Sequence, residues 1–317
     1  MAESLSVPTN TNLVRIRTMG RDFDIEYRWA PATTAIADAA AAGIGQAAPG
    51  PVVVFLHEGL GSVSMWRDFP DRVCAALGLR GLVYSRAGYG RSTPREPGER
   101  WQPDYMHRQA REALPALLEA LGVKAPYFLF GHSDGASIAL IHAAAFPDRM
   151  AGLVVLAPHL FVEDISVRSI EDARRDYLET DRFRKLARHH GDVDSAFWGW
   201  NDIWLAPAFR DWNIEALLPS ICCPVLAVQG RDDEFGTLAQ IDGIAAALPG
   251  TRRLVLDECH HSPHRDQPEA VIAATREFFT ELAACGNAQA LPAATAETRR
   301  SAAAAPITTT ETQETKP

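Results

Sequence analysis

Gly131-His132-Ser133-Asp134-Gly135 is the stretch on which the reading of this chain turns. An apolar run, Tyr127-Phe128-Leu129-Phe130, precedes it, and a small-residue run, Ala136-Ser137-Ile138-Ala139-Leu140-Ile141-His142-Ala143, follows. The order predicts a strand, a sharp turn and a helix, with a serine at the apex. That matches the G-x-S-x-G nucleophile elbow. Glycines suit both flanks because the apex backbone is strained and the strand and helix pass close to it, so a Cβ would clash. Five residues alone would equally suit a loop serine capping a helix. The partners of the serine must therefore decide.

A hydroxyl is a poor nucleophile near neutral pH. A base must take its proton, and a third group must orient that base. After an elbow of this kind the partners follow in the order Ser, Asp or Glu, His. Pro224-Val225-Leu226-Ala227-Val228 ends in Gln229-Gly230-Arg231-Asp232-Asp233, and Arg253-Leu254-Val255-Leu256 ends in Asp257-Glu258-Cys259-His260-His261-Ser262-Pro263-His264. An acid and a histidine thus stand just past predicted strand ends, where open α/β sheets place their ligand-binding groups. On the residues alone, Asp232 competes with Asp233, and His260 with His261.

Working outward, Leu13–Thr18 and Phe23–Trp29 alternate in polarity around Gly20-Arg21-Asp22 and predict a hairpin. Val52–Leu56, Leu82–Ser85, Leu153–Ala157, Pro224–Val228 and Arg253–Leu256 predict further strands. Met65–Leu77, Asp104–Leu121, Thr237–Leu248 and Pro268–Ala284 predict helices. Such alternation implies a mostly parallel sheet with helices on both faces. Pro31–Gly50, rich in Ala and Gly, predicts a long surface loop with a short helix at Ala37–Ala42, and Ala288–Pro317 lacks an apolar period and predicts disorder.

At this point the chain resembles the α/β-hydrolase family, from about Leu13 to Ala283. Beyond the elbow, His57-Glu58-Gly59-Leu60-Gly61 resembles the family's oxyanion loop, and Tyr84-Ser85-Arg86-Ala87-Gly88-Tyr89-Gly90-Arg91-Ser92 its glycine-rich turn. The resemblance implies an α/β-hydrolase fold with a helical cap insertion. The expected organisation is a core over 1–158, a cap over 159–220, the second part of the core over 221–285 and a disordered tail over 286–317. The family pattern implies Ser133 as nucleophile, Asp233 as triad acid and His261 as base, with His264 in support. His260 replaces the usual glycine and remains the runner-up base. The backbone N–H groups of Gly59 and Asp134 are the implied oxyanion hole. Within the expected cap, Phe197, Trp198, Trp200, Trp204, Phe209 and Trp212 cluster. They can hold the cap together or line an apolar pocket, and Trp198, Trp200 and Trp204 are the candidates for its wall.

The expected activity is hydrolysis of a carboxylic ester or lactone of a small, partly apolar substrate through an acyl-enzyme. A carbon–carbon hydrolase acting on a diketone would use the same triad. A catalytically silent ligand-binding protein on the same fold is the alternative of another class. Dehalogenase and epoxide-hydrolase chemistry would need a carboxylate where Ser133 stands. The Asp134 side chain has two readings: a substrate-ammonium ligand, as in some similar amino-acid ester hydrolases, or a helix-cap or surface group. Arg86, just past a strand end, could meet an acidic substrate but is expected in a surface ion pair, and His132 is expected as a packing residue.

Composition agrees. The 317 residues are 47% hydrophobic, enough for a sizeable core, and the formal charge of −9 argues against nucleic acid as a partner. The first dozen residues are polar and lack a signal core, and the apolar runs are too short to span a bilayer. Five cysteines at scattered spacing fit reduced thiols, so a cytoplasmic location is expected. His260, His261 and His264 do not by themselves specify a metal site, and His57-Glu58 lacks the second histidine of a zincin helix. No metal and no cofactor is expected, nor a membrane partner. The expected partner is a small-molecule substrate, and self-association is left open.

Overall fold

Strands of one eight-stranded sheet run in the order β1-β2-β4-β3-β5-β6-β7-β8 in the computed structural model, which describes residues 11–31 and 51–284. The strands are β1 (Asn12–Thr18), β2 (Arg21–Ala30), β3 (Val52–Leu56), β4 (Arg80–Tyr84), β5 (Tyr127–His132), β6 (Met150–Leu156), β7 (Val225–Gly230) and β8 (Arg252–Leu256). The pairs from β4 through β8 are parallel, and β1 and β2 are antiparallel. Residues 32–50 of the loop expected over Pro31–Gly50, the tail and Cys285 lie outside the described residues.

The hairpin turns at Met19-Gly20, one residue earlier than its sequence suggested. Both residues have positive φ, 52° and 81°, the conformation a two-residue turn needs to match strand twist.

Alternation along the central strands explains why helices cover both faces. Val54 and Leu56 of β3, with Tyr127 and Leu129 of β5, join one apolar cluster; Val53, Phe55, Phe128 and Phe130 join the other. Helices α1 (Phe69–Leu77) and α8 (Pro268–Ala284) cover the second cluster. The first is covered by α2 (Leu114–Ala120), α3 (Asp134–Ala145) and α7 (Ala239–Ala247).

Two helices depart from their predicted extents for reasons of proline chemistry. The stretch predicted as one helix over 65–77 is a 3₁₀ turn, Val63–Trp66, broken at Arg67 (φ 53°) before α1 begins. Pro70 disfavours helical backbone at the residue before it and so sits in a helix's first turn. The stretch predicted over 104–121 passes through a π-helical turn at Gln109–Ala113, just before Pro115, which has no N–H for the ladder. The Ala110 carbonyl there accepts a 2.7 Å bond from His142 Nδ1–H.

Between β6 and β7 the chain leaves the sheet and forms α4 (Asp164–Glu179), α5 (Arg182–Leu186) and α6 (Val193–Trp204). Tyr177 of α4 stacks on Phe197 of α6 with ring centroids 3.6 Å apart, and Trp204, Phe209 and Trp212 pack in series. These aromatics belong to the same apolar cluster as α3, so the segment is seated on the core.

The strand order places the site. Chain order reverses around β3, whose neighbours are β4 on one side and β5 on the other. At such a switch point the loops leaving the carboxyl ends diverge and open a crevice. Leu56 pairs with Gly131, so the His57 loop and the Ser133 turn emerge side by side. Gly230 pairs with Leu256, which does the same for the Asp233 and His261 loops.

Candidate active site

Ser133 holds φ 54° and ψ −122°, a strained backbone for a residue with a Cβ. Its N–H donates to the Leu156 carbonyl (2.9 Å), and its own carbonyl accepts from the N–H groups of Ala136 and Ser137 as α3 begins. The two glycines are required by space. A Cβ on Gly131 would strike the Gly135 carbonyl and Ala136, and one on Gly135 would strike the carbonyls of Leu56 and His57.

Three side chains from three loops meet here. Ser133 Oγ lies 2.9 Å from His261 Nε2, and His261 Nδ1 lies 2.8 Å from Asp233 Oδ1. A carboxylate only accepts, so Nδ1 carries the proton and Nε2 is left to accept from the hydroxyl. Asp233 Oδ1 also accepts from the N–H groups of Phe235 (2.8 Å) and Gly236 (3.3 Å), and Oδ2 accepts from Gln229 Nε2 (2.7 Å). Burial alone would push the Asp233 pKa up; the facing imidazole and these donors outweigh it and hold it below the ordinary carboxylate value. Burial would likewise push His261 down, but the Asp233 carboxylate holds it above the ordinary histidine value.

The competing residues lie elsewhere. The His260 side chain is 68% exposed, with Nδ1 on the Asp232 carbonyl at 3.1 Å. His264 is buried against Trp66 and Phe69, and burial drives its pKa well below the ordinary value. His132 packs between His261 and His264 and donates Nε2–H to the His261 carbonyl (2.7 Å), tying the Ser133 turn to the His261 main chain. Among the described residues no group of three or more His, Cys, Asp or Glu is arranged to hold a metal ion.

A cavity of about 190 Å³ opens above Ser133, with Gly59, Asp134, Trp200 and Trp204 in its wall. Trp198 is not in that wall; its indole N–H donates to Asp194 instead (3.1 Å). Gly59 has no room for a Cβ, because the Trp200 indole nitrogen lies against it. Glu58, Glu234, Arg182 and Arg265 give the cavity charge of both signs among its apolar residues.

The Asp134 side chain is neither a surface group nor a helix cap. It is fully buried, accepts from Tyr105 Oη–H (2.7 Å) and Trp204 Nε1–H (3.2 Å), and stands 3.7 Å from Arg86. The surface ion pair expected of Arg86 is thus a buried one. Sequence reasoning missed Tyr105 and Gln229. Gln229 did carry a signal, as a polar residue closing an otherwise apolar strand four positions before Asp233; Tyr105 carried none.

The alpha/beta hydrolase family profile matches residues 53–274, which takes in the elbow, both partner loops and the segment between β6 and β7. The chain belongs to the alpha/beta hydrolase family. The chain is 28% identical over 197 residues to the mouse (Mus musculus) protein named Serine hydrolase BPHL, and 30% identical over 188 residues to the human (Homo sapiens) one. Each match takes in 58% of this chain and 63% of the relative, so the aligned stretch spans under two thirds of those proteins. In fold, the chain superposes on a thermophilic esterase from Thermogutta terrifontis with a TM-score of 0.63 at 20% identity, covering 86% of this chain and 99% of that one.

Proposed function

We propose that this alpha/beta hydrolase is a serine hydrolase that cleaves a carboxylic ester or lactone of a small, partly apolar substrate. The observation that carries the reading is the continuous contact from Ser133 Oγ through His261 to Asp233, at 2.9 and 2.8 Å, beneath a cavity. In it His261 Nε2 takes the hydroxyl proton as Ser133 Oγ attacks the substrate carbonyl, and Asp233 stabilises the resulting imidazolium. The N–H groups of Gly59 and Asp134 receive the oxyanion. His261 then protonates the leaving alcohol, and water attacks the acyl-enzyme by the same relay in reverse. Residues 159–220 act as a cap over the site, with Trp200 and Trp204 facing the substrate.

The carboxylic-ester reading fits a cavity of mixed apolar and charged wall, which suits a compact acyl group. The four cysteines among the described residues are free thiols, in keeping with a cytoplasmic setting, and no described helix is long and apolar enough to cross a membrane. The test is a fluorophosphonate probe run beside a screen of p-nitrophenyl esters of graded length, lactones and vinylogous diketones. Covalent labelling lost in Ser133→Ala, with turnover of short esters or lactones, is the expected result. Labelling with turnover of diketones alone would replace ester cleavage by carbon–carbon cleavage. Neither labelling nor turnover would leave a ligand-binding protein.

A further inference from the structure

We propose that Arg86 is a positioning residue for the oxyanion hole, acting through the Glu58 carbonyl and the Asp134 carboxylate on the two peptide groups that receive the oxyanion. The proposal rests on the serine hydrolase reading above. Arg86 follows β4, not the strands that carry Ser133 or Gly59, and its side chain is 1% exposed. Nη2 donates to the Glu58 carbonyl at 2.8 Å, Nη1 stands 3.7 Å from Asp134 Oδ2, and the guanidinium lies over the Tyr89 ring, 4.7 Å from its centroid.

As a source of stability this arrangement is poor. A buried ion pair gains over its desolvation cost only when its geometry is close and its remaining donors are satisfied. Here the gap exceeds hydrogen-bond length, and the buried Nε has no partner among the described residues. The position of the charge matters more than the strength of the pair.

The Glu58 carbonyl accepts three donors: Gly61 N–H (3.1 Å), His57 Nδ1–H (2.7 Å) and Arg86 Nη2 (2.8 Å). The Arg86 main chain completes the clamp, because its N–H donates to His57 Nε2 (3.0 Å) and so leaves the imidazole proton on Nδ1. The Glu58–Gly59 peptide is trans, so its C=O and N–H point opposite ways. Holding the Glu58 oxygen therefore aims the Gly59 N–H, and a cation on that oxygen polarises the peptide and strengthens the N–H as a donor. On the other side, the Asp134 carboxylate belongs to the residue whose own N–H is the second donor. Its negative charge would oppose a developing oxyanion, and the Arg86 guanidinium offsets it.

The test compares Arg86→Gln and Arg86→Lys with wild type on the best p-nitrophenyl ester, with near-UV circular dichroism to establish folding. Arg86→Gln is expected to lower kcat by about 10²-fold or more, the scale of losing one oxyanion donor, with KM within about threefold. Arg86→Lys keeps the charge without the planar fork and is expected to fall between. Affinity for a trifluoromethyl ketone analogue should drop in step with kcat/KM, while affinity for the product carboxylate stays level. Wild-type kcat in a folded variant, or an equal loss for both inhibitors, would overturn the proposal. So would failure of both variants to fold, which would make Arg86 a stability element. Each of these leaves wild-type labelling intact; absence of labelling in wild type would instead defeat the serine hydrolase reading and this proposal together.

Discussion

Asp233→Asn tests the electrostatic half of the proposed mechanism apart from the orienting half. In the wild-type site Oδ1 faces three N–H donors, from His261, Phe235 and Gly236, whereas among the described residues Oδ2 faces only Gln229. The amide oxygen of the variant must therefore take the Oδ1 place, and its NH₂ faces the Gln229 side chain, whose amide must flip to present Oε1 as acceptor in place of the Nε2 donor. His261 Nδ1–H keeps an acceptor, so the tautomer that lets Nε2 accept from Ser133 survives. What disappears is the charge facing the imidazolium. Opposite charges with centres roughly 4 Å apart interact by about 4 kcal/mol at an effective dielectric of 20. That converts to a loss of about 10³-fold in kcat/KM, short of the ~10⁴ seen where the wrong tautomer is also imposed. The pH profile carries a second signature. His261 must be neutral to act as base, and Asp233 holds its pKa above the ordinary value of about 6.5, so wild-type kcat/KM should fall as pH drops through a limb above 6.5. Without the carboxylate, burial dominates and the limb should move to lower pH. The assay is kcat/KM for a p-nitrophenyl ester from pH 5 to 9, with melting temperature as the control for folding. A folded variant within tenfold of wild type, or an acid limb that stays in place, would refute the reasoning.

Ser133→Ala and His261→Ala should each lose at least about 10³-fold in kcat/KM, while His260→Ala stays within about twofold, measured on the same ester; a reversed order for the two histidines would make His260 the base. Gly135→Ala forces a Cβ onto two main-chain carbonyls and should destabilise by about 1–3 kcal/mol or more, read by urea denaturation. Trp204→Phe leaves Asp134 Oδ1 without its indole donor, at a cost of about 1–3 kcal/mol visible in the same assay.

Local chemistry made much of this fold and its candidate site legible in the sequence. The elbow announced itself because only glycine tolerates the approach of Leu56, His57 and Ala136 at its flanks, and because an apolar run must end where a polar site begins. The same logic marked an acid and a histidine, each just past an apolar run, and the family pattern chose Asp233 over Asp232 and His261 over His260. Helix extents were less legible where Pro70 and Pro115 interrupt an otherwise helical period. Pairing across the sheet was not legible at all. Strand order is set by which faces bury one another, and no local pattern records that β4 lies beside β3 while β5 takes its other edge. Only the tertiary structure therefore brought Arg86 and Tyr105 to Asp134, put Trp204 rather than Trp198 in the cavity wall, and turned His260 to solvent while His261 met Ser133. A charged side chain reads as a surface group until its partners arrive from distant segments, and burial of a cation such as Arg86 becomes tolerable only once they do.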